Sequence, residues 1–486
     1  MRAILLCMGI LLAMGIAGAV VTEVGSIRGF VYGSEPNSSY DNWISHVSEG
    51  QVSSLNVYAP WDVPNNSFGD FFIPTQLELD QWNAVIEDFL ALNLSAAQAR
   101  IDTCGFPYEV VRFQDIDSGR LFYMLRELLN DDIDMNGSED PARHQIGSFD
   151  YGWGLYIYNP DASRPMIVNA PHPCDDYPSP VMALEAFLTW DARFLMINGA
   201  GREVAYNLPY YSNNQSISDP SRYEAHPFNY AYYRFADQIR GLTGKIEFSA
   251  QIHTYDWNKY GNQPSVMLSA GNQRDYPTLP IRDNSRARKD ILHNTPWVVI
   301  PAGTLGNDSD VTVYDYYSVY YNSYEPVTYN QEGTELTLRR NVDLPGALSN
   351  VQMLYTIQDN IYDVYSPFFH IEMDELPKVY SHSSATWRWF YGHEAETQTW
   401  DISNRFTRFI AFYMPWVNAL NAVLDEVLAL DDGSGPSNPE NLRISSYSGT
   451  NFSVQFAWER SHDWDFDSYE LVFRYQINDE MQYLVL

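Results

Sequence analysis

Cysteine and positive charge are both scarce in this chain. Only 3 of its 486 residues are Cys, and 29 Lys and Arg stand against 62 Asp and Glu, a net charge of -33. That balance opposes binding to nucleic acid or to an anionic membrane surface, which reward clustered cations. It suits a protein that meets neutral or cationic matter, or divalent ions. Beyond the first residues, nothing approaches the ~20 consecutive apolar residues of a spanning helix. There is no G-x-S-x-G nucleophile elbow and no cluster of bases to cradle phosphate, so an esterase or phosphoesterase would lack its machinery. Internal repeats and low-complexity tracts are absent as well.

Residues 1–19 have the three-part layout of a secretory signal peptide: Arg2, an apolar run over 3–16 and the small-residue site Ala17-Gly18-Ala19. Cys7 lies inside the apolar run and not at the cleavage site, so a lipobox anchor is not indicated. The expectation is a protein that is secreted or held at the cell surface, where Cys104 and Cys174 are free to pair. A reactive thiol at Cys174 is disfavoured, because the neighbouring Asp175 and Asp176 would raise its pKa. The 36 Tyr and 13 Trp fit a large extracellular core.

Residues 20–109 read as an N-terminal region that packs on a core domain. Its clearest element is a helix opened by Thr75-Gln-Leu-Glu78, with capping-box spacing, and continued by Leu79, Trp82, Val85, Phe89 and Leu90 on one face. Helical spacing of Leu121, Phe122, Leu125 and Leu128 predicts a second helix over 119–129. The acidic stretch after it puts Asp132, Asp134, Asn136, Gly137 and Asp140 at positions one, three, five, six and nine of an EF-hand-like loop. Arg143 stands where the bidentate Glu belongs, so this is half a Ca2+ site, with a solvated acidic loop as the alternative.

The most informative stretch is 164–197. Residues 166–170 form a short apolar strand that delivers His172 at its carboxyl end; a turn with Pro173, Cys174, Asp175 and Asp176 follows, and Ser179-Pro180 opens a helix. Residues 193–197 are a second strand ending at Asn198-Gly-Ala-Gly-Arg202, which completes a β-α-β unit of parallel-sheet type. In such sheets ligands bind beyond the carboxyl ends of strands. Residues 245–253 make another strand, ending at His253, and 367–373 a further one, carrying Glu372. A periodic helix is expected over 416–430, then a linker over 431–439.

Two histidines with one carboxylate are the ligand set of a catalytic Zn2+ that keeps its fourth position for water. His172, His253 and Asp175 or Asp176 supply such a set; Glu372 is placed to act as general base, and Arg202 to hold a substrate carboxylate. The plainer alternative for each is a capped or surface side chain. The stretch Pro171-His-Pro-Cys-Asp-Asp176 with the Gly199-Ala-Gly-Arg202 turn resembles the first half of the zinc carboxypeptidase and N-formylglutamate amidohydrolase superfamily. Ile252-His-Thr-Tyr255 is similar to the strand that brings that family's third ligand, and Phe369-His-Ile-Glu-Met373 to the strand of its catalytic Glu.

That resemblance covers residues 110–430. It implies zinc on His172, His253 and one of Asp175 and Asp176, Glu372 as general base, Arg202 and Tyr255 at the substrate, and cleavage of an amide bond near a carboxylate. The fold it implies is α/β, a mixed, mostly parallel sheet sandwiched by helices. The chain departs from the family in pairing His with Asp in place of His-x-x-Glu, and in showing no Asn-Arg substrate clamp. From 440 to 486, alternating residues with Pro439-Glu-Asn-Leu442 and Asp467-Ser-Tyr-Glu-Leu-Val-Phe473 resemble the first half of a fibronectin type III domain, an all-β immunoglobulin-like module.

The expected function is an exported zinc-dependent hydrolase of a peptide, cell-wall peptide or acylated amino acid, with the C-terminal module as spacer or cell-surface docking element. Its rival is a non-catalytic binding or surface protein on the same scaffold. If the acidic loop holds Ca2+, isothermal titration of the metal-free protein should show about one calcium per chain, lost in the Asp132→Ala/Asp134→Ala variant; no heat of binding would leave a solvated loop.

Overall fold

In a computed structural model the described residues are 19–32, 43–47, 71–129, 149, 151–173, 176, 179–202, 204, 216–243, 248–255, 350–356 and 368–374. Short pieces at 266–269, 299–300, 311–312, 319–321, 328–331, 334–337, 393–394, 399–400, 440–448, 453–459, 472–477 and 480–485 join them, as do 410, 413–414, 416–418, 420–421 and 424. The signal-type segment through residue 18, the acidic loop with Asp132, Asp134, Asn136 and Asp140, and the 431–439 linker lie outside them. The chain divides into two compact units, Met1–Val423 and Leu424–Leu486.

The first unit is built on one ten-stranded sheet. Its strands are β1 (Val21–Gly25), β2 (Tyr108–Asp115), β3 (Leu121–Glu127), β4 (Leu155–Tyr158), β5 (Arg164–Ala170), β6 (Ala192–Ile197), β7 (Phe248–Tyr255), β8 (Val266–Ser269), β9 (Val319–Tyr321) and β10 (Phe368–Asp374). They lie in the order β1-β2-β3-β4-β6-β5-β7-β10-β8-β9. The sheet is mixed: β6, β5, β7 and β10 run parallel at its centre, as do the β1-β2 and β8-β9 pairs, while β2-β3, β3-β4, β4-β6 and β10-β8 are antiparallel. The helices are α1 (Ile27–Tyr32), α2 (Gln76–Leu90), α3 (Leu94–Cys104), α4 (Ser179–Thr189), α5 (Pro227–Thr243) and α6 (Val351–Thr356). None of the described helices is long and apolar enough to cross a membrane.

The capping box of α2 forms as its spacing predicts: Thr75 Oγ1 accepts from Glu78 N and the Glu78 carboxylate accepts from Thr75 N at 2.7 Å. The apolar face of α2 then enters an aromatic cluster. Trp82 is fully buried, with Tyr108 at 4.8 Å between ring centroids, Trp153 at 5.4 Å and Tyr156 at 5.7 Å. Helix α5 starts with proline, which suits a first turn, and buries Phe228, Ala231, Tyr232, Phe235, Ala236 and Ile239 at helical spacing; Phe235 stacks on Phe194 of β6 at 4.3 Å.

The predicted helix over 119–129 is corrected to strand β3. It pairs with β2 over Leu121–Glu127, through the turn at Gly119 (φ 71°), and with β4 on its other edge. An interior strand with most residues buried loses the two-residue alternation, so apolar residues at 121, 122, 125 and 128 mimic a helix face. The N-terminal region does more than pack on the core, since β1 and β2 are strands of the same sheet. Arg126 on β3 clamps them, donating to Glu23 on β1 at 2.9 Å and to Glu109 on β2 at 2.7 Å. On the same face, where the Arg126 guanidinium lies 5.5 Å from the Phe30 ring of α1, Arg28 of α1 makes a two-pronged ion pair with Glu185 of α4 at 2.7 and 2.8 Å.

The second unit holds two antiparallel strand pairs, β11 (Glu440–Ser448) with β12 (Ser453–Glu459), and β13 (Val472–Ile477) with β14 (Glu480–Val485).

Trp82→Ala should cost about 3–5 kcal/mol of unfolding free energy, by urea denaturation, because it opens a cavity among aromatic rings. Leu77→Ala, at a 65% exposed position on the same helix, should change it by under about 0.5 kcal/mol.

Candidate metal centre

Strand order reverses at β5. From β5 the chain crosses through α4 to β6 on one side, then through α5 to β7 on the other. Such a switch point opens a crevice beyond the carboxyl ends of the strands. His172 stands there, two residues past β5. Asp176 follows in a turn closed by Asp176 N donating to His172 O at 3.1 Å, and Ser179 N returns to Asp176 O at 2.8 Å as α4 begins. The Asn198 carboxamide, at the end of β6, donates to Pro171 O, Ala200 O and Ser218 O, which locks three loops around this edge. Gly199 is required in that lock: a Cβ there would lie 2.7 Å from backbone atoms of Gly152 and Gly154.

Two imidazoles converge on one carboxylate. His172 Nδ1 lies 2.9 Å and His253 Nδ1 2.5 Å from the same oxygen, Asp176 Oδ2. All three residues are buried, and their ligand atoms lie within 4.8 Å of one another. The distal ring nitrogens are held from behind: His172 Nε2 by Asp219 Oδ1 at 2.9 Å, and His253 Nε2 by Gln251 Oε1 at 2.9 Å. Parallel register sets Glu372 of β10 beside His253 and His370 beside Gln251. The His370 ring lies 4.5 Å from that of His253, and His253, His370 and Glu372 form a second group whose ligand atoms fall within 4.8 Å.

Electrostatics follow from this packing. Burial alone would lower the His172 pKa, but Asp219 and Asp176 outweigh it and raise it to about 10. Burial also favours neutral Asp176, yet the charge and hydrogen bonds of His172, joined by His253, hold its carboxyl well below the usual range. Asp219 is lowered against its own burial by His172, then by Arg202 and Arg222. For His253 burial dominates and lowers the pKa, with His172 and Arg202 adding to it. His370 is pushed well below its ordinary value by burial first and by His253 next. The site is thus a buried anionic oxygen between neutral and cationic rings, with two guanidinium charges close by.

The donor set fits a divalent metal. Gln251 Oε1 accepts from His253 Nε2, so His253 Nδ1 meets the Asp176 oxygen lone pair to lone pair unless a proton or a cation lies between them. His172 is likewise flanked by carboxylates at both ring nitrogens. Two imidazoles, each backed by a second hydrogen-bonding group, with a carboxylate beside them are what a zinc site of open fourth position needs.

Of the residues singled out from sequence, the structure brings together His172, Asp176 and His253, with Glu372 beside them. Arg202 is close enough for its charge to act on Asp219 and His253. Cys174, Asp175 and the side chain of Tyr255 lie outside the described residues. Cys104 is a free, half-buried thiol at the end of α3. Sequence reasoning missed Asp219, which lies 47 positions from His172 in a Ser/Pro turn, and Arg222, Gln251 and His370. Only Gln251 and His370 carried a signal, as polar residues two positions before His253 and Glu372 on the same strand faces.

No protein-family model matches the chain, and no curated protein does either. Among solved structures it is similar to one from Shewanella denitrificans OS-217 described as "Putative carboxypeptidase A". Identity is 12%, the match covers 69% of this chain and 68% of that one, and the TM-score is 0.24. A likeness that distant assigns neither fold nor function.

A histidine whose folded pKa is raised contributes stability that is full below its ordinary value near 6.5 and is lost as pH climbs to about 10. Depressed Asp176 and Asp219 contribute stability that is present above about pH 4 and lost below it. The metal-free protein should therefore lose stability from about pH 6.5 to 10, measured by urea denaturation with chelator present. A flat alkaline limb would mean that His172 is not held between the two carboxylates.

Proposed function

We propose that the protein is an exported, metal-dependent hydrolase that cleaves an amide bond in a peptide, a cell-wall peptide or an N-acylated amino acid. The observation that carries this reading is the convergence of His172 Nδ1 and His253 Nδ1 on Asp176 at the switch point of the sheet, with Glu372 next to His253. Export rests on the signal-type layout of residues 1–19.

His172, Asp176 and His253 would hold the ion. When bound, Zn2+ supplies a Lewis acid and makes water a usable nucleophile near neutral pH. Glu372, whose side chain is 12% exposed, takes the proton of the attacking water and returns it to the leaving amine. Neutral His370 lies beside it on the same strand, with Nε2 3.8 Å from Glu372 Oε1. Arg202 and Arg222 place positive charge at the Asp219 side of the site, where a bidentate pair would hold a substrate carboxylate.

In His172→Ala and His253→Ala, zinc retention and turnover should both be lost, by metal analysis of untagged protein and by cleavage assays on peptides and acyl-amino acids. Glu372→Gln should keep about one zinc per chain while turnover falls about 100- to 10,000-fold. Full turnover in that variant would remove the role given to Glu372. Zinc absent after gentle purification, with no uptake on adding it back, would overturn the whole reading.

A further inference from the structure

Behind His253 lies a chain of buried carboxamides whose polarity is set from its far end. Asn229 and Gln352 come from helices α5 and α6, Gln251 and Asn169 from strands β7 and β5, and all four are fully buried. A carboxamide has one accepting oxygen and one donating NH2 group, so fixing one end of such a chain fixes every member. The Asn229 NH2 faces Pro220 O at 2.9 Å and Tyr223 O at 2.8 Å, and backbone carbonyls only accept. Asn229 Oδ1 therefore points the other way and accepts from Gln352 Nε2, which also donates to Pro220 O at 3.0 Å.

The Gln352 oxygen is then left to accept from Gln251 Nε2 at 2.9 Å. The same Gln251 NH2 donates to Asn169 Oδ1 at 3.1 Å, while Asn169 spends its own NH2 on Ala250 O at 3.2 Å. A second pin agrees. Asn350 Oδ1 accepts from Met353 N at 2.9 Å, so its NH2 is the group that meets Gln251 Oε1 at 2.6 Å. From both directions the Gln251 atom facing His253 Nε2 is an oxygen.

We infer that this carboxamide chain holds His253 as the tautomer protonated at Nε2, which assigns Nδ1 as its metal-binding atom and makes Gln251 a positioning residue. Asp219 does the corresponding task for His172 from the residue next to Pro220, so a single loop orients both rings. The metal half of this inference rests on the function proposed above; the tautomer half stands on hydrogen bonding alone.

The two halves are tested separately in the full chain. Long-range 1H–15N spectra of histidine-labelled, metal-free protein should show a proton on His253 Nε2, alone or with a second on Nδ1 toward Asp176, and a neutral ring protonated only at Nδ1 would overturn the assignment. Zinc affinity, by competition with a chromophoric chelator, should fall about 10- to 100-fold in Gln251→Met and stay within a few-fold of wild type in Gln251→Glu, which keeps the accepting oxygen. Gln352→Met, one link further away, should weaken zinc in the same direction, and it serves if Gln251→Met fails to fold. Wild-type affinity in both Met variants would overturn the positioning role. A wild-type protein that takes up no zinc would overturn the metal half, and the metal-free spectra would still decide the tautomer.

Discussion

The feature on which the rest of this site depends is one carboxylate oxygen buried between two imidazoles. A charge taken out of water is costly unless it is paired and hydrogen-bonded. Asp176 is paired with His172, faces His253 Nδ1 across the place of a proton or a cation, and each of those rings is in turn held at its other nitrogen. Remove the outer shell and the rings are free to turn; remove the rings and the carboxylate is stranded. Asp219, Gln251 and the amides behind it therefore belong to the centre as much as the groups that would touch a metal.

The sheet supplies the geography. Consecutive crossovers leave β5 on opposite sides, so the loop after β5 and the carboxyl ends of β7 and β10 share one edge. Each face then needs its own cover. Helices α2, α3, α5 and α6 fill one with aromatic rings near β4 and β6 and with amides near β7 and β10, while α4 and α1 lie on the other. The change from aromatic to amide packing across one face marks where the core stops being only a core.

Much of this layout was legible along the chain. Local chemistry suffices for the cap at Thr75 and Glu78, for the β5-α4-β6 unit with its turn residues, and for the strands that carry His253 and Glu372. Helix α5 was legible by the same rule, in its first-turn proline and its apolar residues at three- and four-residue spacing, although no helix was assigned there. Strand β3 was misread because a strand buried on both faces has no polar alternation to declare it. Its identity comes from pairing with β2 and β4, which no local window contains.

The sequence by itself determined which side chains were available for chemistry and which ends of strands they occupy, because period, caps and turns are local properties. Only the tertiary structure decided that Asp176 sits between the two histidines and that Asp219 backs the first of them. It also decided that glutamines 251 and 352 turn the second to face the site. The contacts that close this arrangement, Asp219 to His172, Asp176 to His253 and Gln251 to Gln352, join positions 47, 77 and 101 residues apart and are set by strand order and loop closure. A single sequence carries no local mark of them, since an Asp in a Ser/Pro turn or a Gln in an apolar strand looks the same whether its partner is water or a distant ring.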